Sequence, residues 1–403
     1  MNFAADGGAG VALSRTGLDR LGTVLAAAIE RGDTPGLVAL VHRRGETHVI
    51  ALGAMEADGG APMRRDAIFR IASMTKPISA AAAMILVEEG RLRLDEPVDG
   101  LLPELANRRV LRRIDAELDD TVPAERPITL RDLLTFTAGF GMVLLPAGST
   151  PIQRAIDEAK VGPGPDTPEA DEDVWMKRLG ALPLVHQPGA AFMYHTAAEV
   201  LGVLIGRAAG QHFDDFARER LFEPLGMADT GFVVPPEKAG RVPGRYETDW
   251  GSGATVRRDD PRPWDRPPAF PSGGTGLWST ADDYLAFCRM LLDKGRHPGG
   301  RILSRPAVEL MTTDQLTPQQ KAGGEILLGS GGWGFGMAVD TRRDQLYSSP
   351  GRFGWNGGLG TTAYSDPAED LVGILLTNRA ATSPRPPRVV VDFWTAAYAA
   401  IND

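Results

Sequence analysis

The sequence predicts an α+β protein in which an antiparallel sheet is flanked by helices and a helical lobe is inserted between the two halves of the sheet. Near the start, two apolar runs flank the polar segment RRGE, a pattern typical of a β-hairpin. From residue 332 onward strand-like segments dominate again, and the segment DPAED between the last two of them is typical of a turn. Between these ends, apolar residues recur mostly at helical spacing. Both ends of the chain are therefore expected to contribute strands to one sheet.

The N-terminal part is predicted to contain three helices besides that hairpin. Residues 15–31 have apolar side chains at helical spacing and should form an amphipathic helix. A long alanine-rich helix is predicted over residues 73–90, with a glycine as its C-terminal stop. Thr129 and Asp132 are spaced as a capping box, so a third helix should begin there and end near Gly139.

The middle of the chain is predicted to be helical, with long connecting loops. Residues 141–172 are rich in proline, glycine and acidic residues and should form a lid-like loop with one short helix at PIQRAIDEAK. The segment HTAAEVLGVLIGRAAG predicts a further helix, with Thr196 and Glu199 as its capping box. Another helix is expected at FDDFARERLFEPLG, whereas residues 234–270 hold few aliphatic side chains and are expected to be irregular.

The C-terminal part is predicted to return to helix and then to strands. A helix is expected over GLWSTADDYLAFCRMLLDKG, with Ser279 and Asp282 at its start, and QLYSSPG is expected among the strands that precede the closing helix RVVVDFWTAAYAAI. We therefore expect a discontinuous sheet domain, residues 1–88 and 270–403, and a mainly helical domain, residues 89–269. An active site should lie between them, because clefts at domain interfaces bury ligands well.

The composition excludes several classes of partner and site. The chain has 403 residues, a net charge of −9 and no long basic run, so we expect neither nucleic acid nor membrane as a partner. One cysteine, Cys288, excludes an intrachain disulfide, and the apolar run around it indicates a buried thiol. The histidines lack metal-ligand spacing, so no metal or other cofactor is expected. The start MNFAADGGAGVALSR resembles neither a signal peptide nor a membrane span, and a cytoplasmic location is the expectation.

A candidate nucleophile lies in IASMTKPISA, where Ser73 and Lys76 are one helical turn apart. Pro77 places both in the first turn of the helix, because proline costs little there and much more in the interior. The side chains then share a face, and the positive end of the helix dipole would stabilise alkoxide character on the serine. A partly buried lysine can accept the serine proton. Ser73 also suits a helix cap and Lys76 a solvated position, so four residues alone leave both interpretations open.

Other hydrolase and nucleotide motifs are missing from the sequence. No G-x-S-x-G, P-loop or H-E-x-x-H occurs. His195 and Glu199 are four residues apart and can share a helix face. The favoured interpretation places His195 in the loop before the helix, with Glu199 serving as part of the cap.

The segment DAIFRIASMTKPISAAAAMILVEEGRLRLDEPVDGLLPEL resembles the nucleophile region of the serine β-lactamase and penicillin-binding-protein superfamily, most of all class C β-lactamases and family VIII carboxylesterases. Further likenesses follow in the family's order, at ITLRDLLTFTAGF, LFEPLGMADTGF, GGTGLWSTADDYLAF and LGTTAYSDPAEDLVGILLTNR. The resemblance spans nearly the whole chain. It implies a β-lactamase/transpeptidase-like fold with Ser73 as the nucleophile and Lys76 as its proton-transfer partner.

The segment MYHTAAEVLG resembles the family's second motif, Tyr-x-Asn or Tyr-x-Ser. The resemblance assigns Tyr194 to the motif's tyrosine and favours a role for it as general base. The third position holds Thr196, which departs from the family pattern and also suits the cap of the following helix. The sequence leaves open whether Tyr194 or Lys76 is the base.

The family's third motif, Lys-Thr-Gly or His-x-Gly, corresponds to GWNGGLGTT. Trp355, Asn356 and Gly357 fall on the motif and are the implied substrate-binding residues. The resemblance also makes the backbone N–H groups of Ser73 and Gly358 the expected oxyanion hole. Because Trp355 stands in place of the lysine, the site loses a charge and gains apolar surface.

Together these features predict a serine carboxylesterase that cleaves short-chain acyl esters, its small-molecule partners, through an acyl-enzyme on Ser73. The missing lysine favours uncharged esters over β-lactams, although Arg352 is a candidate replacement for the lost cation. An amide hydrolase of the β-lactamase or DD-peptidase type, and an acyltransferase that uses the same acyl-enzyme, are the alternatives. A non-catalytic protein that retains the fold is the alternative of a different class, and Ser73, Lys76 and Tyr194 argue against it. The sequence leaves the oligomeric state open.

Overall fold

The computed structural model describes residues 12–249, 251–259 and 264–403. The interpretation of the N-terminal segment therefore lies mostly outside the described residues, as does part of region 234–270. Within those ranges, no helix is both long enough and apolar enough to cross a membrane.

Helices and strands are distributed unevenly along the chain. The strands are β1 Gly36–Arg43, β2 Glu46–Glu56, β3 Gly59–Pro62, β4 Phe69–Arg70, β5 Arg109–Leu111, β6 Thr121–Pro123, β7 Arg245–Thr248, β8 Thr255–Arg258, β9 Trp278–Ser279, β10 Arg296–His297, β11 Gly300–Arg301, β12 Gly332–Trp333, β13 Ala338–Val339, β14 Phe353–Gly357, β15 Thr361–Asp366 and β16 Leu371–Thr377. The α-helices are α1 Arg15–Glu30, α2 Thr75–Glu88, α3 Leu130–Leu134, α4 Pro151–Glu158, α5 Glu172–Ala181, α6 Thr196–Ala209, α7 Phe213–Ala217, α8 Glu223–Leu225, α9 Ala281–Leu292, α10 Arg305–Met311, α11 Pro318–Lys321, α12 Glu325–Leu328 and α13 Arg388–Tyr398.

One eight-stranded antiparallel sheet contains strands from both ends of the chain, in the order β12-β13-β14-β15-β16-β1-β2-β3. β1 and β2 form the predicted hairpin, and β1 pairs on its other side with β16, so that Leu37 lies opposite Thr377. This arrangement confirms the predicted fold class.

Helices cover both faces of this sheet. α1 packs against α13 on one face, over a core that includes Leu25, Leu375 and Trp394. α9 packs on the opposite face, where a larger core also includes the alanine-rich α2. Because helices lie over both faces, every residue of β1 and β16 is buried, which explains why apolar residues make up most of these two strands.

The chain between the two halves of the sheet holds several helices and short hairpins. α6 packs against α2, α3 and α7. The predicted capping box at the start of α3 is present, because the Thr129 side chain accepts from the N–H of Asp132 while the aspartate accepts from the N–H of Thr129. α3 ends at Leu134, earlier than predicted, because Phe136 has a φ of 59° and turns the chain out of the helix.

Several local predictions are wrong. The region expected to be irregular contains the hairpin of β7 and β8, anchored where the buried Tyr246 donates a hydrogen bond to Glu56. Thr280, not Ser279, caps α9, because its side chain accepts from the N–H of Asp283. QLYSSPG forms turns, with a reversal at Gly351, whose φ is 89°.

The end of β14 lies directly against the turn that precedes the candidate nucleophile. Thr361 Oγ1 donates a hydrogen bond of 3.1 Å to the carbonyl oxygen of Ile71. A Cβ atom at Gly357 would lie 2.1 Å from Thr361 Oγ1 and 2.4 Å from the Ile71 oxygen, so a side chain does not fit. Glycine at this position therefore sets the spacing between β14 and the turn Ala72–Met74.

We expect the substitution Gly357→Ala to destabilise the protein by ~1–3 kcal/mol, because the added methyl group forces β14 away from this turn. Urea unfolding measures the change in free energy. Gly22→Ala in α1 is a matched control, because its Cβ would meet only Ile50 Cδ1, at 3.9 Å. If Gly357→Ala unfolds no more easily than Gly22→Ala, the close approach does not constrain the strand.

Candidate active site

Ser73 lies in the short 3₁₀ turn Ala72–Met74, which leads directly into α2. Ala72 has a φ of 45°, an unusual value for a residue with a side chain, so the surrounding structure must hold this turn. Ile71, just before it, donates its N–H to the carbonyl of Leu277 at 3.0 Å. Pro77 lies in the first turn of α2, as the sequence predicts. Ser73 thus lies at the beginning of the helix.

Lys76 is almost completely buried beside Ser73. Its Nζ atom lies 2.9 Å from Ser73 Oγ and 2.9 Å from the carbonyl oxygen of Gly274. Burial lowers the pKa of the amine to about 7, although the negative charge of Glu199 partly raises it. A substantial fraction of Lys76 is therefore neutral at neutral pH and able to accept a proton from Ser73.

Tyr194 faces the same amine from another direction. Lys76 Nζ lies 4.8 Å from the centre of the tyrosine ring. Tyr194 Oη accepts a hydrogen bond from Trp355 Nε1 at 2.5 Å. Burial raises the pKa of Tyr194 to about 12, while hydrogen bonding with Ser73 and Trp355 opposes this rise. The tyrosine is consequently a neutral phenol at neutral pH.

His195 and Glu199 are joined to Lys76 by a buried polar network. His195 Nδ1 lies 3.4 Å from Lys76 Nζ, and His195 Nε2 lies 3.3 Å from Glu199 Oε1. Glu199 also accepts from Ser272 Oγ at 2.8 Å and from the N–H of Gly274 at 3.3 Å. The favoured prediction for this pair is therefore wrong in part. His195 does precede α6, but Glu199 bonds to the imidazole instead of capping the helix.

The predicted residues other than the buried Lys76 line one cavity of about 280 Å³. Ser73, Tyr194, Trp355, Asn356, Gly357 and Gly358 all line it, together with His195. Much of the remaining wall is apolar and comes from the loop after α3, the loop after α4, α12, the proline-rich segment before α13 and the first turn of α13. Its members include Met142, Pro165, Leu327, Pro384, Pro386, Pro387 and Val390. None of the described lining residues is a lysine, and Arg385 supplies an arginine at an exposed position. The cavity is therefore mostly apolar around a small polar centre.

Two backbone groups suit the predicted oxyanion hole. Ser73 and Gly358 both line the cavity, Ser73 from the turn before α2 and Gly358 from the position that directly follows β14. Among the described residues, no hydrogen bond uses the N–H of Gly358. That donor is available to a ligand oxygen.

Arg352 does not reach the cavity. Its buried guanidinium bonds to Asp340 Oδ2 at 3.0 Å and lies 4.0 Å from the ring centre of Tyr364 and 4.2 Å from that of Trp394. The suggestion that Arg352 replaces the missing cation is therefore wrong. The residue packs within an aromatic cluster behind the sheet instead.

The comparisons with known proteins agree with this geometry. The family model described as Beta-lactamase matches residues 21–391. The chain belongs to the β-lactamase family. Esterase EstB of Burkholderia gladioli is 34% identical over 381 residues, which cover 90% of each chain. Protein Rv1367c of Mycobacterium tuberculosis is 41% identical over 359 residues, which cover 86% of each chain.

A solved structure extends the likeness to the fold of this β-lactamase-family protein. EstCE1, described as a hydrolase with promiscuous acyltransferase activity, superposes with a TM-score of 0.79 and 25% sequence identity. The match covers 95% of this chain and 99% of that one. The superfamily resemblance predicted from the motifs is therefore confirmed, and the chain is a member of a serine hydrolase family with esterase and acyltransferase relatives.

In this member of the β-lactamase family, the residue directly after the motif tyrosine contacts the lysine. Within the described ranges, the hydrogen-bond partners of Lys76 Nζ are Ser73, Gly274 and His195, and Thr196 is not among them. The middle residue of YHT thus takes the contact with Lys76. The motif resemblance does not predict this contact. The polar pair at positions 195 and 199, beside the motif tyrosine, is the sequence feature that indicates it.

Across residues 12–249, 251–259 and 264–403, no group of three or more His, Cys, Asp or Glu side chains is placed to hold a metal ion. Cys288 is buried, as predicted from its apolar surroundings.

We expect the reaction of Ser73 with a fluorophosphonate to accelerate as the pH rises through about 7, because Lys76, whose pKa is about 7, accepts a proton only in its neutral form. Below that pH the amine is protonated, so the rate falls. Second-order labelling rates measured between about pH 5 and about pH 9 test this, with tryptophan fluorescence as the control for folding. A rate that still rises about tenfold per pH unit up to about pH 9, as the ordinary lysine pKa near 10 would give, would contradict the proposed effect of burial.

Proposed function

We propose that this protein is a serine carboxylesterase that cleaves uncharged, short-chain acyl esters. The observation that most supports the proposal is the contact of Ser73 Oγ with a buried lysine amine, at 2.9 Å, within a mostly apolar cavity. A serine hydroxyl becomes a nucleophile when an adjacent base removes its proton. EstB, a relative named an esterase, supports the same assignment.

In the first half of the proposed reaction, Ser73 Oγ attacks the ester carbonyl carbon while Lys76 Nζ takes the hydroxyl proton. The negative charge that develops on the carbonyl oxygen is received by the N–H groups of Ser73 and Gly358. When the intermediate collapses, the C–O bond to the alcohol breaks. The alcohol leaves with the proton held by Lys76, delivered directly or through the Tyr194 hydroxyl, and the acyl group remains on Ser73.

The second half releases the acid. A water molecule attacks the acyl carbon, and Lys76 again takes the proton and returns it to Ser73 Oγ. We assign the base to Lys76 rather than Tyr194, because the pKa of Tyr194 is about 12 and that of Lys76 about 7. Tyr194 then acts as a hydrogen-bond donor to the departing oxygen.

Trp355 supports an ester in preference to an anionic β-lactam. The indole replaces the family's lysine, but its N–H still donates to Tyr194. The site therefore keeps a donor at this position without a positive charge to attract a substrate carboxylate. Asn356 and Gly357 line the same wall and are proposed to contact the acyl group.

Acyl transfer is a second candidate activity. The structural relative EstCE1 is described as a hydrolase with promiscuous acyltransferase activity. An alcohol that enters the cavity would compete with water for the acyl-enzyme. Adding an alcohol acceptor to an aryl ester assay separates the two, because a transferase forms a new ester in proportion to the alcohol.

We expect a fluorophosphonate to label Ser73. The substitution Ser73→Ala should abolish the labelling and lower ester turnover at least a thousandfold, because removal of the nucleophile has an effect of this size in serine hydrolases. Peptide mass spectrometry locates the adduct. Ser383→Ala is the control for labelling, because Ser383 also lines the cavity. Retained hydrolysis by Ser73→Ala would refute the mechanism, and faster turnover of a cephalosporin than of an aryl acetate would refute the substrate class.

We expect Trp355→Phe to lower kcat for an aryl ester about tenfold with little change in KM, because one hydrogen bond to Tyr194 is lost while the aromatic surface remains. Trp333→Phe is a matched control. Trp333 packs edge-on against Trp355, with ring centres 4.7 Å apart, and its indole N–H has no hydrogen-bond partner among the described residues. Equal losses in the two variants would show that packing, rather than the hydrogen bond, explains the effect.

A further inference from the structure

The hydrogen atoms of the Lys76 amine determine whether it can act as a base. A neutral amine has two N–H groups and one lone pair, and only the lone pair can accept the serine proton. Three atoms surround Nζ: Ser73 Oγ at 2.9 Å, the Gly274 carbonyl oxygen at 2.9 Å and His195 Nδ1 at 3.4 Å. The carbonyl can only accept, so it takes one hydrogen. The second hydrogen must point at either Ser73 or His195.

Glu199 determines which of these two accepts the second hydrogen. Burial alone would raise the pKa of Glu199, but hydrogen bonds from His195 and Ser272 and the charge of Lys76 hold it below its ordinary value. An ionised carboxylate is purely an acceptor, so His195 Nε2, which lies 3.3 Å from it, must bear the imidazole hydrogen. His195 Nδ1 is then left with a lone pair directed at Lys76.

We propose that His195, held by Glu199, is a positioning residue for the base: its Nδ1 accepts one hydrogen of the Lys76 amine and thereby turns the amine lone pair toward the hydroxyl of Ser73. The inference rests on the proposed roles of Ser73 and Lys76 but on no particular substrate. Glu199 and His195 would then act on Ser73 only through Lys76, by fixing the orientation of its amine.

The surroundings of His195 are consistent with this role. Burial and the charge of Lys76 lower the pKa of His195, so the imidazole stays neutral and keeps its lone pair. Its backbone has a φ of 87° and a ψ of −69°, an unusual conformation for a residue with a side chain. On its other side lies a second cavity of about 370 Å³, whose charged lining residues besides Glu199 are Asp157, Lys160, Asp166, Glu169 and Arg178.

Three variants show whether His195 acts by orienting the Lys76 amine or only by filling space in the core. His195→Ala removes the acceptor. His195→Asn restores an acceptor, because Asn Oδ1 is bonded to Cγ just as His Nδ1 is, but it cannot reach Glu199. Thr196→Val is the matched control in the same motif, since it keeps the branched shape of a residue that does not bond to Lys76.

The first measurement is the rate at which a fluorophosphonate labels Ser73. Urea unfolding of each variant is the control for folding. We expect His195→Ala to slow labelling about 10- to 100-fold, a part of the effect of a general base, and His195→Asn to recover most of the rate. Thr196→Val should stay within about twofold of the unsubstituted protein. Equal slowing by Ala and Asn, or no slowing by either in folded protein, would overturn the proposal.

The second readout is a coupling between positions 199 and 195. Glu199→Gln no longer imposes one imidazole tautomer. At a pH above the acid limb, where the pKa of Lys76 does not affect the rate, we therefore expect slower labelling when residue 195 is histidine and little further change in the His195→Asn background. Removing the carboxylate charge also lowers the pKa of Lys76, so the acid limb of the rate profile should move to lower pH. Additive effects of the two substitutions, or an unmoved acid limb, would count against the proposal.

These outcomes are distinct from those of the proposed function. A protein that labels at Ser73 but hydrolyses no ester would refute the carboxylesterase assignment, and the labelling rates of the variants would still decide the role of His195. Ester hydrolysis unaffected by His195→Ala would leave the carboxylesterase assignment intact and refute the positioning role.

Discussion

Burial of the Lys76 amine is the constraint on which the candidate site depends. In water a lysine is a cation and has no lone pair to receive a proton. Here the side chain is 1% exposed, and desolvation brings its pKa to about 7. The close neighbours of the amine are a hydroxyl, a carbonyl and an imidazole rather than a carboxylate in direct contact. They satisfy its hydrogen-bonding capacity without fixing a positive charge on it, so the same burial that stabilises the core also prepares a base.

Tyr194 and Trp355, which also lie at the reacting centre, are uncharged as well. Tyr194 remains a phenol, and the uncharged indole of Trp355 donates a hydrogen bond to it. In the proposed reaction a proton moves between Ser73, Lys76 and a leaving group inside a mostly apolar cavity, whose one lining arginine, Arg385, is exposed. The neutral reacting centre and the mostly apolar walls both support the proposed preference for uncharged substrates.

The sequence predicts the parts of this site that a local pattern specifies. Ser73 lies in the turn that leads into α2, and Lys76 and Pro77 lie in the first turn of that helix, as their spacing indicates. The burial of β1 and β16 follows from the apolar residues that make up most of each strand. Contacts between distant segments are different. Positions 196 and 199 have the spacing of a capping box, so the sequence alone does not distinguish them from a pair that caps a helix. In the folded chain the loop that contains Ser272 and Gly274 approaches Glu199. The glutamate therefore accepts hydrogen bonds from that loop and from His195. The predicted role of Arg352 is wrong for the same reason, because the aromatic rings that surround it come from elements distant in the sequence.

The pairing of β1 with β16 has a consequence for how the chain is made. β1 is synthesised long before β16, so the centre of the sheet cannot close until β16 has also left the ribosome. At about 5–20 residues per second, the early hairpin waits on the order of tens of seconds with an apolar edge unpaired. Such an edge can recruit other chains, and long-range strand pairing is slow even in a finished chain. Successful production of this protein should therefore depend on what shields the nascent hairpin during that interval, and much less on the stability that the completed sheet reaches afterwards.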